Sequence, residues 1–259
     1  MLQIKLGNKL IKTDRNAFVM GIVNATPDSF FSNSRGGLDL ALKLIDDGAD
    51  ILDIGGESTR PGFTPVSADE EINRIIPLIR EIRKHSDIPI SVDTYKLPVF
   101  KAAFQEGADV WNDVNALSNN DESARFVADN IISVILMHNG EGNIDKVISD
   151  LKSIVSFCKK NNIADDKIIL DPGIGFGKSN EECINIISNI NKLCNQSYPV
   201  LMALSRKRCI GQMTGKQTDE RLAGTLAANM YSVQNGSKII RVHDVSESID
   251  MLNVMKNLQ

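Results

Sequence analysis

Two sets of polar side chains in this sequence could bind one ligand that differs at its two ends. The first set offers hydrogen-bond acceptors: Asp93, Asn112 and Asp171. The second set offers donors, most of them cationic: Arg60, Lys207, Arg241 and His243. Buried carboxylates can bind an aminopyrimidinone edge, with its adjacent N–H and NH2 groups, through paired hydrogen bonds. Arg and His, together with a metal ion, are usual partners of a phosphate or a pyrophosphate. These residue types therefore indicate a ligand with a neutral, donor-rich edge and a strongly anionic group.

The residues that other common kinds of catalytic site need are absent from this sequence. The sequence has no HExxH segment and no Ser-His-Asp order typical of a hydrolase, and its three His are too few for a His-rich zinc site. Lys207 is a Schiff-base candidate in principle, but the basic run SRKR around it fits contacts with an anion or a π system better. What remains is the set of acceptors and donors described above.

Eight short apolar runs precede most of these polar residues and predict the strands that position them. The runs are rich in Val and Ile and almost continuously apolar, as parallel strands buried on both faces are. They cover residues 18–23, 49–54, 88–92, 108–112, 131–137, 167–170, 199–204 and 238–242. Nearly every run is followed by polar groups that are costly to bury unless they are used.

Amphipathic helices are predicted between several of the runs. Apolar positions recur with helical spacing over 38–45, and Gly48 follows as a C-cap. Ser67 and Glu70 have capping-box spacing ahead of another apolar pattern, in which Pro77 predicts a kink or a restart. Further helical patterns cover 98–107 and 144–161, and 251–259 completes the last helix.

Strands that alternate with helices leave two candidate folds, a doubly wound sheet and a (β/α)8 barrel. No GxGxxG fingerprint follows the first strand. In a closed barrel all strand ends open into one mouth, whereas a doubly wound sheet would concentrate polar groups at a switch point. We therefore predict an α/β fold, a (β/α)8 TIM barrel, in a single domain over residues 1–259. The segment KLGNKL predicts a β-hairpin within residues 1–15 that closes the bottom of the barrel.

Composition and charge argue against several other classes of protein. The chain has 259 residues and a net charge of −4, which does not suit a general binder of nucleic acid or membrane surfaces. Its N-terminus has no apolar signal region and no stretch of 18 apolar residues follows, so neither secretion nor membrane spanning is expected. Four Cys without CxxC spacing indicate reduced thiols in a cytoplasmic protein.

From Met20 to His243 the chain resembles the dihydropteroate synthases. The resemblance is carried by GIVNATPDSF (21–30), DIGGESTRPG (53–62), SVDT (91–94), WNDV (111–114), ILDPGIGFGK (169–178), LSRKR (204–208) and RVHDV (241–245). It implies a TIM-barrel transferase that joins 4-aminobenzoate to 6-hydroxymethyl-7,8-dihydropterin diphosphate. The products would be pyrophosphate and 7,8-dihydropteroate, for folate biosynthesis. The resemblance also implies a Mg²⁺ cofactor, competition by sulfonamides and, by family analogy, a homodimer.

The same resemblance implies a role for each matching residue. The catalytic residues would be Asp93, Lys207 and Arg60. The pterin would be bound by Asp93, Asn112, Asp171 and Lys207. The diphosphate would be bound by Asn24, Thr59, Arg241 and His243, and Asn24 would also hold the metal. The 4-aminobenzoate would be bound by Thr59, Pro61, Phe63, Phe176 and Lys207. The implied reaction is SN1-like: pyrophosphate leaves first, Asp93 stabilises the pterin methylene cation, and the arylamine attacks it.

Two segments depart from the family pattern. After Met137 the chain reads HNGEGNID (138–145), without the Gln and Pro residues that the family has there. The opening loop reads PDSFFSNSRGG (27–37), with Asn33 in place of an acid. In the family that acid helps the loop pair with an Arg, here Arg60, so we expect a weaker pairing or one made through Asp28.

Two other functions stay open at the level of sequence. A methyltetrahydrofolate:corrinoid methyltransferase shares the barrel and the pterin slot but has no diphosphate to hold, so Arg241 and His243 argue against it. A catalytically silent or regulatory pterin-binding paralogue is favoured only by the altered first loop, and the intact diphosphate residues argue against it.

Overall fold

A computed structural model describes residues 1–25, 36–57 and 65–258 of the chain, and it begins with an antiparallel hairpin. The hairpin consists of β1 (Leu2–Leu6) and β2 (Lys9–Thr13), and Leu6 pairs with Lys9 across the turn. Gly7 lies in that turn with a φ of 56°, in the left-handed region that glycine adopts at little cost. The hairpin predicted within residues 1–15 is therefore confirmed.

Eight further strands form one parallel sheet that closes on itself. They are β3 (Phe18–Asn24), β4 (Ile51–Gly55), β5 (Ile90–Asp93), β6 (Val110–Asp113), β7 (Ser133–Met137), β8 (Ile168–Asp171), β9 (Leu201–Met202) and β10 (Ile239–Val242). Sequential strands pair from β3 to β8, while β10 lies between β3 and β9. A parallel bridge between Leu170 and Val200 joins β8 to the chain just before β9 and closes the ring. This is the predicted (β/α)8 barrel.

The described residues contain ten α-helices, most of which connect successive strands on the outside of the barrel. They are α1 (Gly36–Asp46), α2 (Ala68–His85), α3 (Leu97–Gln105), α4 (Asp121–Asp129), α5 (Ile144–Lys160), α6 (Asn180–Ser188), α7 (Ile190–Cys194), α8 (Arg208–Thr214), α9 (Leu222–Gln234) and α10 (Val245–Asn257). None of the helices in this described part combines the length and apolar character needed to cross a membrane.

One local prediction is narrowed and another needs correction. Of the kink or restart predicted at Pro77, the restart does not occur: α2 is one helix through the proline, and its apolar face, with Ile75 and Ile79 fully buried, packs on both sides of it. Strand β9 is shorter than the predicted 199–204. Pro199 has no N–H to donate, and the carbonyl of Leu204 already accepts a turn hydrogen bond from the Lys207 N–H at 3.1 Å.

The barrel is filled by apolar side chains and closed at its bottom by the hairpin. Leu6 packs in one buried cluster with interior residues of the strands, among them Phe18, Met20, Val110 and Ile135. At the turn, the Gly7 N–H donates to the Ser133 hydroxyl at 2.9 Å, and the buried Lys167 ammonium donates to the Gly7 carbonyl. Ser133 begins β7 and Lys167 precedes β8, so the hairpin covers the amino ends of the strands, as expected. The carboxyl ends remain for the site.

Candidate active site

A cavity of about 450 Å³ opens at the carboxyl ends of the strands, and its volume is in the range of small-molecule sites. Every described residue to which the sequence analysis assigned a role lines it: Asn24, Asp93, Asn112, Asp171, Phe176, Lys207, Arg241 and His243. The other four assigned residues lie outside the described residues: Thr59, Arg60, Pro61 and Phe63. The parallel strands thus bring the predicted acceptors and donors to one place.

Arg241 is the centre of an ion-pair network in this cavity. Its Nε donates to Asp53 Oδ2 at 2.6 Å, and its Nη2 donates to Asp93 Oδ2 at 2.9 Å. Asn112 Nδ2 lies 3.2 Å from the same Asp53 oxygen. The guanidinium is therefore held in a fixed orientation by two carboxylates from neighbouring strands.

Asp53 is a site residue that the sequence analysis did not single out, although it stands inside the quoted segment DIGGESTRPG. Its side chain is fully buried, and Arg241 and Asn112 satisfy its oxygens. A signal was available, since Asp53 interrupts an otherwise apolar strand and a buried acid needs a partner. The sequence did not indicate that the partner would be Arg241.

Asp93 combines a raised pKa with an unsatisfied carboxylate oxygen. Burial raises its pKa to about 7, although the Arg241 guanidinium opposes the shift; the charge of Asp53 adds to it. One carboxylate oxygen, Oδ1, is buried and has no hydrogen-bond partner among the described residues. An unsatisfied buried acceptor next to a cavity is a place for an N–H donor of a ligand.

Asp171 and Lys207 are two further charged residues of the cavity, and the charge of each influences the pKa of the other. Burial raises the pKa of Asp171, whose Oδ1 also accepts the Gly173 N–H at 2.7 Å. Burial lowers the pKa of Lys207, and the charge of Asp171 opposes that shift. The Lys207 ammonium lies 4.6 Å from the centre of the Phe176 ring, a cation–π distance. Lys207 and Phe176, both assigned to the aminobenzoate, therefore lie together.

The segment between β9 and α8 is held in an unusual conformation. Arg206 has a φ of 57°, which is unfavourable for a residue with a side chain. An ion pair with Asp244 at 2.5 Å and a hydrogen bond from the Arg206 N–H to Thr225 Oγ1 at 3.1 Å hold it there. Ser205 Oγ lies 2.9 Å from His243 Nδ1. These contacts orient the His243 ring and hold the backbone next to Lys207.

The segment after His138, which departs from the family pattern, packs against the Phe176 loop. The Gly140 N–H donates to the Phe176 carbonyl at 3.4 Å, and the Gly142 N–H donates to Glu182 Oε1 at 2.7 Å. Gly140 has a φ of 131°. A Cβ added to Gly177 would lie 2.8 Å from the Cα of Gly140. Glycine therefore lets two backbones approach closely and supports Phe176.

Comparison with known proteins shows the family to which the chain belongs. The family model for pterin binding enzymes matches residues 20–243. The dihydropteroate synthase of Clostridium beijerinckii is 38% identical to this chain, and the alignment covers 95% of this chain and 95% of that relative. The Bacillus subtilis dihydropteroate synthase is 42% identical over 92% of this chain and 87% of that relative. The chain belongs to the dihydropteroate synthase family of pterin-binding enzymes.

A solved structure of the same family has nearly the same fold. It is the Xanthomonas albilineans dihydropteroate synthase with 4-aminobenzoic acid, which superposes with a TM-score of 0.94 at 38% identity. The superposition covers 99% of this chain and 98% of that one. The resemblance to dihydropteroate synthases and the predicted TIM barrel are both confirmed.

Asn24, to which the family resemblance assigns the magnesium ion, lies in the described part of the chain. The Asn24 amide lines the cavity and offers a hard oxygen, the kind of ligand that Mg²⁺ prefers. The described residues contain no cluster of three or more His, Cys, Asp or Glu placed to hold a metal. This donor set fits a cation that is bound mainly by phosphate oxygens of the substrate, with Asn24 as an additional ligand.

A second buried network joins the residues on either side of segment 58–64. The Lys96 ammonium pairs with Glu57 and with Glu71 Oε2 at 2.8 Å, and it donates to the Val66 carbonyl at 2.8 Å. The Val66 N–H donates to Glu57 Oε2 at 3.2 Å. These contacts hold Glu57 and Val66 close to each other. The synthase motif STRPG lies between these two residues in the sequence. No sequence pattern indicated this network.

Proposed function

We propose that this chain is a dihydropteroate synthase. It transfers the pterin methylene group from 6-hydroxymethyl-7,8-dihydropterin diphosphate to the amine of 4-aminobenzoate and releases pyrophosphate. The observation that carries the proposal is the unsatisfied Asp93 Oδ1, which lies in one cavity with Asp171, Lys207 and Arg241. These residues can bind a donor-rich heterocycle at one end and an anion at the other.

The pterin occupies the acid side of the cavity. Its N–H and NH2 groups donate to Asp93, Asp171 and the Asn112 amide oxygen, and Lys207 lies against its ring. Because both carboxyl groups are buried and have raised pKa values, hydrogen bonds from the ligand stabilise their ionised forms. The bound pterin thus supplies interactions that the empty site lacks.

The reaction needs charge stabilisation and no protein nucleophile. The methylene C–O bond breaks and its electron pair leaves with pyrophosphate, which produces a cation on the pterin methylene. Ionised Asp93 stabilises that cation in a site where charges interact strongly. The lone pair of the arylamine then forms the C–N bond, and the nitrogen loses a proton. Lys207 and Phe176 hold the aminobenzoate for this attack, together with Thr59, Pro61 and Phe63.

The leaving group is held by Asn24, Thr59, Arg241 and His243, and Arg60 completes the catalytic set. A Mg²⁺ held with the help of Asn24 would further neutralise the negative charge of the leaving group. Arg241 has a second role, because its charge opposes the burial that raises the pKa of Asp93. The same guanidinium therefore favours the ionised form of the cation-stabilising group and faces the leaving anion.

A comparison of binding with turnover tests the proposal against a silent paralogue. Pterin diphosphate binding is measured by calorimetry, and product formation is followed with and without 4-aminobenzoate. A synthase binds the pterin diphosphate and forms product only when 4-aminobenzoate is present. Tight pterin binding without any aminobenzoate-dependent product would instead identify a pterin-binding protein with no synthase activity.

We further propose that sulfonamides compete with 4-aminobenzoate here, and that the enzyme is a cytoplasmic homodimer. None of the four cysteines forms a disulfide, which suits a reducing compartment. The dimer rests on family analogy. Light scattering of the purified protein at several concentrations gives the oligomeric state. Inhibition that increasing 4-aminobenzoate overcomes would support competition, and inhibition that it leaves unchanged would contradict it.

A further inference from the structure

A buried lysine joins the Phe176 loop to the end of a neighbouring strand. Lys178 is the last residue of the segment GFGK (175–178), between β8 and α6, and it is only 4% exposed. Its ammonium donates to the Phe176 carbonyl at 3.1 Å and to the His138 carbonyl at 3.1 Å. Phe176 lines the active-site cavity and His138 directly follows β7, whereas Lys178 is not among the described residues that line the cavity. Any effect of Lys178 on a bound substrate therefore acts through other residues.

The Phe176 loop and the end of β7 lie in direct backbone contact around this ammonium. A Cβ added to Gly173 would lie 1.9 Å from the His138 carbonyl oxygen, the same atom that accepts from Lys178. The Phe176 N–H donates to the Gly173 carbonyl at 3.1 Å, so Gly173 and Phe176 belong to one turn. Lys178 holds this turn at one point on Phe176 and at another on the neighbouring strand end.

An ammonium is an expensive group to place at this position. Burial lowers the pKa of Lys178 to about 8; the charge of Asp171 opposes this shift, and that of Lys207 adds to it. An apolar side chain of similar length would fill the same space without the cost of burying a charge. Stability of the fold therefore gives little reason for a cation here, whereas two hydrogen bonds from one ammonium fix two backbone segments relative to each other.

We propose that Lys178 is a positioning residue for 4-aminobenzoate, because its ammonium holds the Phe176 loop against the end of β7. The Phe176 ring is thereby kept next to the Lys207 ammonium, which lies 4.6 Å from the ring centre. The assignment of the arylamine to Phe176 and Lys207 rests on the proposed function. Since the pterin is assigned to side chains on other strands, such as Asp93 on β5 and Asn112 on β6, Lys178 should act selectively on the arylamine.

A comparison of the two substrates tests this selectivity. Lys178→Met keeps the length of the side chain but removes both hydrogen bonds. It should raise the KM for 4-aminobenzoate at least about tenfold and change the Kd for the pterin diphosphate by less than about threefold. Lys159→Met, which removes an exposed lysine of α5, should change neither constant. A merely structural role would lower stability without this split, so equal effects on both substrates would overturn the proposal.

The pH dependence of the KM separates the charge of Lys178 from its bulk. The titratable or charged groups that act on Lys178 or respond to its charge are Asp171 on β8, Glu182 and Cys183 on α6, Lys207 before α8, and His138 after β7. The ammonium loses its proton above about pH 8, so the native KM for 4-aminobenzoate should rise between about pH 7 and about pH 9. Lys178→Arg keeps a cation throughout this range and should show a smaller rise. Because Lys207 is present in both proteins, parallel profiles would contradict a role for the charge of Lys178.

Hydrogen exchange tests the contact without any activity measurement. Mass spectrometry follows amide exchange in peptides that cover residues 138–142 and 172–178. Exchange in both should be faster in Lys178→Met than in the native protein, while β3 and β4 keep their protection. Unchanged exchange, or faster exchange in an active enzyme whose KM for 4-aminobenzoate is unchanged, would overturn the proposal. Faster exchange in a protein without synthase activity would contradict the proposed function and leave the contact made by Lys178 standing.

Discussion

At the scale of single residues, the site depends on buried acids whose raised pKa values make them hard to ionise. It depends equally on Arg241, whose positive charge opposes that rise. Asp93 would be a poor stabiliser of a cation if it were protonated, and burial alone favours that form. Arg241 lies 2.9 Å from it and favours the carboxylate. Asp53 in turn holds Arg241 in place. The three residues therefore work as one unit, and a change in any of them alters the other two.

The raised pKa of Asp93 predicts a pH dependence. Since Asp93 must be ionised, kcat/KM for the pterin diphosphate should rise as the pH increases through about 7. Because the folded state keeps this proton to a higher pH than the unfolded chain does, Asp93 destabilises the fold as the pH rises from about 4 to 7. Asp93→Asn should lose most activity, and its remaining kcat/KM should no longer rise as the pH increases through about 7. A wild-type profile that is flat from about pH 5.5 to about pH 8 would contradict the assignment.

The role of Asp53 predicts the effect of removing a buried partner. Asp53→Ala leaves the Arg241 charge with one carboxylate fewer and should lower the free energy of unfolding by about 3–5 kcal/mol. It should also weaken pterin binding through Asp93. Urea unfolding and pterin calorimetry measure the two effects. As a matched control, Asp121→Ala changes an exposed acid at the start of α4 and should leave pterin binding unchanged. Equal effects of both variants would show that Asp53 has no special role.

At the scale of elements, the sequence predicted the strands well and their side-chain partners poorly. The ends of all eight predicted barrel strands lie within two residues of the observed ends, although β9 keeps only two of its six predicted residues, because buried parallel strands have a strong apolar signature. The partners of Asp53 and Lys96 could not be predicted, since they depend on strand register and on contacts between distant parts of the chain. Arg241 lies 188 residues from Asp53, and no local pattern encodes that distance.

The Lys96 network gives a prediction at this scale. Lys96→Met leaves the buried carboxylates of Glu57 and Glu71 without their cation and should cost about 3–5 kcal/mol of stability. It should also raise the KM for 4-aminobenzoate, since Glu57 and Val66 flank segment 58–64. Lys101, in the helix α3 that follows Lys96, pairs with exposed Glu122, so Lys101→Met should cost at most about 1 kcal/mol. Similar stabilities of the two variants in urea would contradict the role of Lys96.

At the scale of the whole molecule, the barrel separates stability at one end from chemistry at the other. The fold was predictable because polar residues follow nearly every strand, which a closed barrel explains more simply than a doubly wound sheet does. The hairpin position was predictable from KLGNKL. Its anchors, Ser133 and Lys167, come from distant strands and were not.

This separation predicts that a change at the bottom alters stability alone. Gly7→Ala forces a side chain into a φ of 56° and places its Cβ 3.2 Å from the Asp109 carbonyl oxygen. It should cost about 1–2 kcal/mol or more, with kcat/KM unchanged. Gly215 has a φ of 68°, but a Cβ added there would meet no described atom within 4 Å, so Gly215→Ala should cost less. A fall in kcat/KM for Gly7→Ala would contradict the separation.

The central claim is that the cavity couples departure of pyrophosphate to capture of the pterin methylene by an arylamine. The most direct test measures pyrophosphate and 7,8-dihydropteroate in the same reaction with both substrates present. We predict that the two products form mole for mole, and that Asp93→Asn lowers both together. Pyrophosphate released without dihydropteroate, or no release at all in the presence of both substrates, would contradict the account.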